Sequence, residues 1–260
     1  MKYAILIIST MALSLSAADL DPQSLADKAA KAAYYMGADG RAKVTMTITD
    51  RQGRERSREL VILRRDVAED LGEQQFYVHF RQPADVADTA FLVLKRPLQD
   101  DDRWLYLPAL DLVRRIAASD ERTSFVGSHF FYEDVSGRSP QEDVHELVEE
   151  TEHYYVLKST PKAKDSAEFA YFKSWIHKAS FIAVKSEYYD SESKPYRSYE
   201  ALKVENIDGY PTVTQSKMND LQRGGSTLLS YAQVQFDIGI PENIFSERYL
   251  RNPPLNYLEF

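Results

Sequence analysis

The side chains of this sequence that could hold a metal ion or carry catalysis include five histidines: His79, His129, His145, His153 and His177. No two of them stand at the spacing of a metal-binding motif, and the sequence has no HExxH pattern. His79 and His177 fall within strand-like patterns, where a hydrogen-bonded structural histidine is the favoured interpretation. Ser128 and His129 are adjacent, but neighbouring side chains on a strand point to opposite faces, so no nucleophile–base pair is predicted.

The acidic clusters give no stronger signal for chemistry. Asp100–Asp102 could suggest a calcium site, but the alternating ligands and the later Glu of a calcium loop are missing, which favours a solvated turn. Glu146–Glu152 is typical of an exposed acidic surface. The sequence also lacks a GxSxG elbow and a glycine-rich phosphate loop. We therefore predict no catalytic residue, no metal site and no cofactor, and a protein that is not an enzyme.

Composition limits the function classes further. The chain has 260 residues, 43% of them hydrophobic, with 40 acidic against 32 basic side chains and no cysteine. A chain of this length can bury a large core without disulfides, and its net charge of −8 argues against nucleic-acid binding, which needs a basic surface. The absence of cysteine excludes disulfides, thiolate metal sites and a cysteine nucleophile. The 17 Tyr and 12 Phe against 10 Gly indicate a sheet protein with a large apolar interior.

The first residues resemble a targeting segment rather than part of a fold. Met1–Ala18 has a positive charge at Lys2, a short apolar run and small residues before Ala18, which is the pattern of a cleaved secretory signal peptide. The apolar run is shorter than the roughly 20 residues of a spanning helix. No cysteine follows it, so a lipid anchor on a processed cysteine is not expected. We predict a soluble periplasmic protein with one domain over residues 19–260.

The mature chain begins with a helical pattern and continues with strand-like patterns. Asp21–Met36 has a capping Asp, a first-turn Pro and apolar residues at helical spacing. From Val44 onward the period changes to two. The strand-like stretches lie at residues 44–48, 58–64, 75–81, 89–95, 103–107, 112–117, 154–159, 169–176, 182–189, 196–205, 212–220 and 226–236. We interpret them as about eleven strands of a mainly β (α+β) antiparallel sheet or barrel, and Val135–Val148 as a short helix or lid loop.

Several strands are apolar on both faces. Leu60–Leu63, Phe91–Leu94 and Trp104–Leu107 are continuous apolar runs, although an antiparallel sheet with one wet face needs apolar residues only at alternate positions. Two interpretations stand equally: a helix covers the second face, or the sheet curls around a pocket for an apolar ligand.

Residues 104–134 resemble the signature stretch of the outer-membrane lipoprotein-sorting protein family, the LolA-like periplasmic proteins. In many members a W-x-Y-L-P strand precedes an R-R-I strand and an F-x-G-S segment that ends in an acidic residue. The matching positions are Trp104, Tyr106, Leu107, Pro108, Arg114, Arg115, Ile116, Phe125, Gly127, Ser128 and Asp134. One departure is His129, since members often carry Asp directly after Gly-Ser.

The resemblance implies an incomplete antiparallel β-barrel that curls around a hydrophobic cavity and is plugged by helices. It also implies a carrier of lipids, of lipoprotein acyl chains or of another hydrophobic molecule, and the branch with this motif often accompanies membrane exporters of the RND type. The candidate cavity lining is Phe76, Val78, Phe80, Leu92, Leu94, Trp104, Tyr106, Ile116 and Phe125. Arg114 and Arg115 are candidate contacts for a head group or partner, or else form surface ion pairs.

Two other functions remain open at this point. The protein could be an interaction or scaffold module of an envelope export complex, with the cavity filled by its own side chains. It could also be an enzyme for an apolar substrate, which would require Ser128, His129 and an acid to converge inside the barrel.

Overall fold

Thirteen antiparallel strands form one open sheet in the computed structural model, which describes residues 21–68, 71–97, 99–163 and 167–260. The strands are β1 Asp39–Thr49, β2 Glu55–Asp66, β3 Gln74–Gln82, β4 Ala90–Lys95, β5 Asp102–Leu107, β6 Leu112–Ile116, β7 Asp143–Glu150, β8 Tyr154–Pro161, β9 Tyr171–His177, β10 Ala183–Tyr189, β11 Pro195–Ile207, β12 Tyr210–Asp220 and β13 Ser226–Phe236. The helices are α1 Pro22–Tyr34, α2 Tyr132–Ser136, α3 Arg248–Arg251 and α4 Leu255–Leu258. The predicted signal peptide at residues 1–18 lies outside the described residues.

The strand order makes the sheet an incomplete barrel. The strand order is β6-β5-β4-β3-β2-β1-β13-β12-β11-β10-β9-β8-β7. Paired strands are consecutive in the chain, except that the first strand, β1, pairs with the last, β13. The two open edges, β6 and β7, are consecutive in the chain, and residues 117–142 connect them. We call these connecting residues the inner segment. The predicted mainly β architecture, an unclosed antiparallel sheet with a helix in front, is confirmed, with thirteen strands rather than about eleven.

Helix α1 forms where its sequence pattern predicts. The side chain of Asp21 accepts hydrogen bonds from the backbone N–H groups of Gln23 and Ser24, at 3.4 and 3.2 Å, and thereby caps the helix. Its buried face includes Leu25 and Ala26, which pack with Leu157 of β8 and Ile176 of β9. The helix therefore lies across the later strands of the sheet. None of the described helices is long and apolar enough to cross a membrane.

The prediction of a helix or loop over Val135–Val148 is wrong for its second half. Val135 and Ser136 end α2 and Pro140–Glu142 form a 3₁₀ turn, whereas residues 143–150 form the edge strand β7. An edge strand has one neighbour, and most side chains of β7 are exposed, including those of Val144 and Val148. Because no apolar face is buried in full, the strand lacks the alternation by which the other strands were found.

The two faces of the sheet are covered by different parts of the chain. On β2, Leu60 and Ile62 point to the face that packs with the inner segment, which we call the inner face. Val61 and Leu63 point to the outer face and pack with residues of the C-terminal segment, residues 237–260. The outer face of the doubly apolar strands is thus covered by the C-terminal segment with its short helices, and the inner face borders a cavity, whose use for an apolar ligand stays a prediction.

Hydrogen bonds fix the C-terminal segment to the outer face. The Asp39 carboxylate accepts from the backbone N–H groups of Ile238 and Ile240, at 2.8 and 2.9 Å. The Tyr77 hydroxyl donates to the carbonyl of Tyr249 at 2.7 Å. Strands β1 and β3 thus both hold the C-terminal segment, whose sequence has no clear period.

Candidate functional site

A cavity of about 430 Å³ lies between the inner face of the sheet, α1 and the inner segment. This volume is in the range of pockets that hold one small organic ligand. Its apolar wall comes from β1, β2 and β3 and from the inner segment, and includes Val44, Met46, Leu60, Ile62, Phe76, Val78, Phe125 and Phe130.

The small side chains of the alanines on α1 leave room for the cavity. Ala26, Ala30 and Ala33 are spaced four and three residues apart, Ala29 and Ala33 are four residues apart, and all four alanines line the cavity from one side of the helix. A larger side chain at these positions would project toward the strands opposite. The alanine-rich sequence of α1 therefore has a structural consequence beyond helix propensity, because it keeps the interior open.

The opposite wall carries hydroxyl groups. It is formed by side chains of β9 to β13 and includes Ser174, Ser186, Tyr188, Tyr199, Ser216 and Tyr231. Burial raises the pKa of both Tyr188 and Tyr231 to about 12, and it raises the pKa of Tyr199 further. These phenols therefore stay protonated at any physiological pH and present neutral hydrogen-bonding groups.

Ion pairs hold the inner segment in the barrel. The Glu133 carboxylate forms ion pairs with Arg122 and Arg138, and Arg138 also pairs with Asp143 at 3.0 Å. Arg122 reaches outward to Glu168 of a neighbouring loop at 2.5 Å. All of these side chains except Glu168 are at most 9% exposed, so the network is buried. The two pairs with Glu133 join parts of the inner segment to each other, and the pairs with Asp143 of β7 and with Glu168 attach the segment to the rest of the chain.

The acidic residue that closes the signature stretch has a defined structural role. The Asp134 carboxylate pairs with Arg197 of β11 and also accepts the backbone N–H of Phe131 at 2.6 Å. The Arg197 guanidinium lies 3.9 Å from the centroid of the Phe131 ring. Asp134 thus joins the inner segment to the central strands of the sheet.

A glycine allows α1 to approach the inner segment. Gly137 has a φ of +74°, and an added Cβ there would lie 2.4 Å from the Tyr34 ring. The buried ammonium of Lys95 donates to the carbonyls of Ser136 and Gly137, at 2.6 and 2.7 Å. Burial lowers the pKa of Lys95 to about 8. Any residue other than glycine at 137 would be strained and would displace the tyrosine.

One carboxyl of the inner segment should make stability depend on pH. Burial raises the pKa of Glu121 from 4.5 to about 7, although the neighbouring Arg103 guanidinium acts to lower it. Arg103 forms ion pairs with both Glu121 and Asp101. The folded state thus holds this proton more tightly than the unfolded state, so the stability that protonation contributes is lost as pH rises from 4.5 to about 7. Over that window we expect the free energy of unfolding of the wild type to fall on the order of 3 kcal/mol relative to Glu121→Gln.

Urea unfolding of both proteins across this pH range measures the effect. Glu146→Gln is the matched control, because the Glu146 carboxyl is 56% exposed and makes only a 3.7 Å ion pair. A constant difference between the wild type and Glu121→Gln would contradict the prediction.

The structure separates the nine predicted lining residues into two groups. Phe76, Val78 and Phe125 line the cavity, and Phe80 and Ile116 belong to the same inner core without bordering it. Four others lie on the outer face beside the C-terminal segment: Leu92, Leu94, Trp104 and Tyr106. The outer-face group lies across the sheet from the cavity, and a ligand-binding role of any of the nine stays a prediction.

The two arginines of the signature lie at the surface. Arg114 is 59% exposed and lies 3.5 Å from the Asp120 carboxylate, and Arg115 is 68% exposed and pairs with Asp102. These contacts correspond to the surface ion pairs that were one of the two interpretations. Contact with a head group or partner stays a prediction.

Sequence reasoning did not select the alanines of α1 or the hydroxyl wall. The sequence shows the spacing of the alanines within a predicted helix, but it does not show on which side of the sheet α1 lies. The tyrosines and serines of β10 to β13 alternate with other residues, so a period-two signal was present. It gave no indication of which alternate set faces inward.

Ser128 and His129 have separate partners in the fold. The Ser128 hydroxyl hydrogen-bonds to the backbone of Phe130, while the His129 ring contacts the Thr227 hydroxyl at 2.8 Å. Within the described part of the chain, no group of three or more His, Asp or Glu side chains is arranged to hold a metal ion.

Comparison with known proteins places the chain in a family. A family model described as an uncharacterized protein matches residues 72–252. The crystal structure of a DUF1329 family protein from Desulfovibrio piger is 27% identical, covers 88% of this chain and 97% of its own, and superposes with a TM-score of 0.81. An outer membrane lipoprotein-sorting protein domain from Vibrio parahaemolyticus is 28% identical over 88% of this chain and 98% of its own, with a TM-score of 0.79. The chain belongs to the DUF1329 family of LolA-like proteins.

A more distant structure shares the fold of this LolA-like protein. A LolA superfamily protein from Nitrosomonas europaea is 20% identical, covers 88% of this chain and 98% of its own, and has a TM-score of 0.67. No curated protein matches the sequence significantly. The resemblance inferred from residues 104–134 is thus confirmed over most of the chain.

Proposed function

We propose that the protein is a periplasmic carrier without enzymatic activity, which binds a lipid, lipoprotein acyl chains or another hydrophobic molecule and transfers it between envelope components. The observation that carries the proposal is the cavity of about 430 Å³ with its apolar wall. An apolar chain in such a site gains roughly 0.8 kcal/mol for each buried CH₂ group. The lipoprotein-sorting protein of Vibrio parahaemolyticus, which covers 88% of this chain, supports the same role.

We propose that part of the cavity wall moves when the cargo is released. Because the inner segment is fixed by buried ion pairs, we propose that α1 moves in preference to it. The first turns of α1 pack on the sheet chiefly through apolar residues such as Leu25 and Ala26. Its C-terminal end is held more firmly, because the Gln74 side chain of β3 donates to the Tyr34 carbonyl at 2.8 Å, so the first turns are the part that we propose to move. We further propose a membrane exporter of the RND type as the partner that receives or supplies the cargo, which site-specific crosslinking in cells followed by identification of the captured protein would test.

Binding can be tested directly on purified protein. Native mass spectrometry after gentle purification should show a co-purified apolar molecule, and a polarity-sensitive naphthylamine dye should bind the emptied protein and be displaced by lipids. A protein that is always empty and that ignores every apolar ligand would contradict the proposal.

Filling the cavity from α1 should abolish binding. We expect the double variant Ala30→Phe and Ala33→Phe to lower the affinity for an apolar dye at least about tenfold, because two phenyl rings take up the space between α1 and the strands. The matched control is Ala30→Ser with Ala33→Ser, which changes the same positions without filling them. Dye titration of both variants, with urea unfolding to verify the fold, checks this; equal affinities in the two variants would place the binding site elsewhere.

A further inference from the structure

The cationic side chains that border the cavity all have partners. The Arg138 guanidinium pairs with Glu133 and Asp143, and the Arg64 guanidinium pairs with Asp66 and donates to the carbonyl of Gly37. The Arg41 guanidinium donates to carbonyls of the C-terminal segment, on the other face of the sheet.

The remaining titratable groups of the lining are occupied as well. Both ring nitrogens of His145 are within 2.9 Å of a partner, the Ser159 hydroxyl and the Pro140 carbonyl. The Asp134 carboxylate pairs with Arg197, and the Asp143 carboxylate pairs with Arg138. Among the described residues, no lining charge is therefore left to neutralise a charged ligand, and an unpaired charge in such a site is strongly disfavoured.

The hydroxyl wall offers a different kind of contact. Tyr188 lines the cavity, and its ring packs 5.4 Å from Phe172 and 5.6 Å from Phe169. Its hydroxyl has no hydrogen-bond partner among the residues that the structure describes. Tyr199 and Tyr231 lie on neighbouring parts of this wall, and Tyr231 of β13 is the cross-strand neighbour of Val44 of β1, so the hydroxyl wall adjoins the apolar wall there. The cavity thus combines apolar surface on one side with neutral donors on the other.

We infer that the cargo is one uncharged apolar molecule with an ester, carbonyl or hydroxyl oxygen, which lies inside the cavity and accepts a hydrogen bond from Tyr188. This inference rests on the proposed carrier function and deepens it by assigning the chemical class of the ligand. An ester or carbonyl oxygen matches a protonated phenol, whereas a carboxylate, phosphate or ammonium would find no counter-charge.

Ligands of equal chain length separate charge from apolar burial. Methyl tetradecanoate, tetradecanoate and tetradecyltrimethylammonium share one alkyl chain and differ in charge, and tetradecane lacks the oxygen. We expect methyl tetradecanoate to displace a naphthylamine dye from the wild type at concentrations at least about tenfold lower than either ion, because each ion must be buried unpaired.

Removing the hydroxyl tests the role of Tyr188. Tyr188→Phe keeps the packed ring, and we expect it to weaken methyl tetradecanoate about 3- to 10-fold, the effect of one lost hydrogen bond, while the loss for tetradecane is smaller. The matched control is Tyr189→Phe, the next residue, which does not line the cavity and whose hydroxyl donates to Glu187 at 2.5 Å. Urea unfolding of both variants verifies that they fold.

The outcomes distinguish the inference from the carrier function. Tighter binding of the ester than of either ion, with that preference reduced in Tyr188→Phe and not in Tyr189→Phe, supports the assignment of the cargo class and the carrier function. Equal or tighter binding of either ion, or equal effects of the two Phe variants, overturns the assignment of the cargo class while binding itself still supports a carrier. Failure of all four ligands to displace the dye, together with failure of the dye to bind, overturns both.

Discussion

Replacing Arg197 with Met is expected to lower the free energy of unfolding by about 3 to 5 kcal/mol, the cost of leaving one member of a buried ion pair without its partner. The Arg197 side chain is 3% exposed and that of Asp134 is 13% exposed. Without Arg197, the Asp134 carboxylate would keep the Phe131 N–H as a partner and lose its counter-charge. Arg197 also stacks on Phe131, so the substitution weakens two attachments of the inner segment at once.

The matched control for this variant is Arg114→Met. Arg114 is 59% exposed and its nearest carboxylate, that of Asp120, is 3.5 Å away, so the same chemical change there should cost less than about 1 kcal/mol. Urea unfolding followed by circular dichroism measures both variants. If Arg197→Met were as stable as Arg114→Met, the inner segment would not depend on the Asp134–Arg197 pair.

Most strands could be predicted because they bury at least one face. Val44, Met46 and Ile48 of β1 are buried while the threonines between them are half-buried, and that contrast is the period-two signal that the sequence shows. β7 has no such contrast. A strand at an open edge is stabilised by backbone hydrogen bonds to one neighbour, and these leave no trace in the side-chain pattern.

The two faces of the early strands could not be told apart from the sequence. Leu92 and Val93 are adjacent, both fully buried, and lie on opposite sides of β4. Which side meets the cavity is decided by the C-terminal segment, which packs on the outer face through scattered residues such as Phe245 and Leu250. Because that segment has no periodic pattern, nothing in it predicts the strand face that it covers.

The contacts that hold the cavity together are also remote in sequence. Asp134 stands in the recognisable signature, but its partner Arg197 is 63 residues away within an unremarkable strand pattern. The residues of the hydroxyl wall are also far apart in sequence, because each of the strands β9 to β13 contributes only one or two of them. Local spacing predicts elements and cannot predict which side chains of separate elements meet.

Two leucine-to-alanine substitutions should distinguish the faces of the sheet by function. We expect Leu92→Ala, on the outer face, and Leu60→Ala, on the inner face, each to lower the free energy of unfolding by about 2 to 5 kcal/mol, because both side chains are at most 1% exposed. Only Leu60 lines the cavity, so only its truncation should weaken binding of an apolar ligand, by removing contacts with it.

The comparison is informative because the two variants are matched in chemistry and burial. Urea unfolding gives the loss of stability, and dye titration under conditions in which both proteins are folded gives the affinity. Leu92 packs with the C-terminal segment, and its truncation leaves a cavity there that is separated from the ligand by the sheet. If Leu92→Ala weakened dye binding as much as Leu60→Ala did, the ligand would have to lie under the C-terminal segment, and Trp104 and Tyr106 would then return as candidates for its binding site.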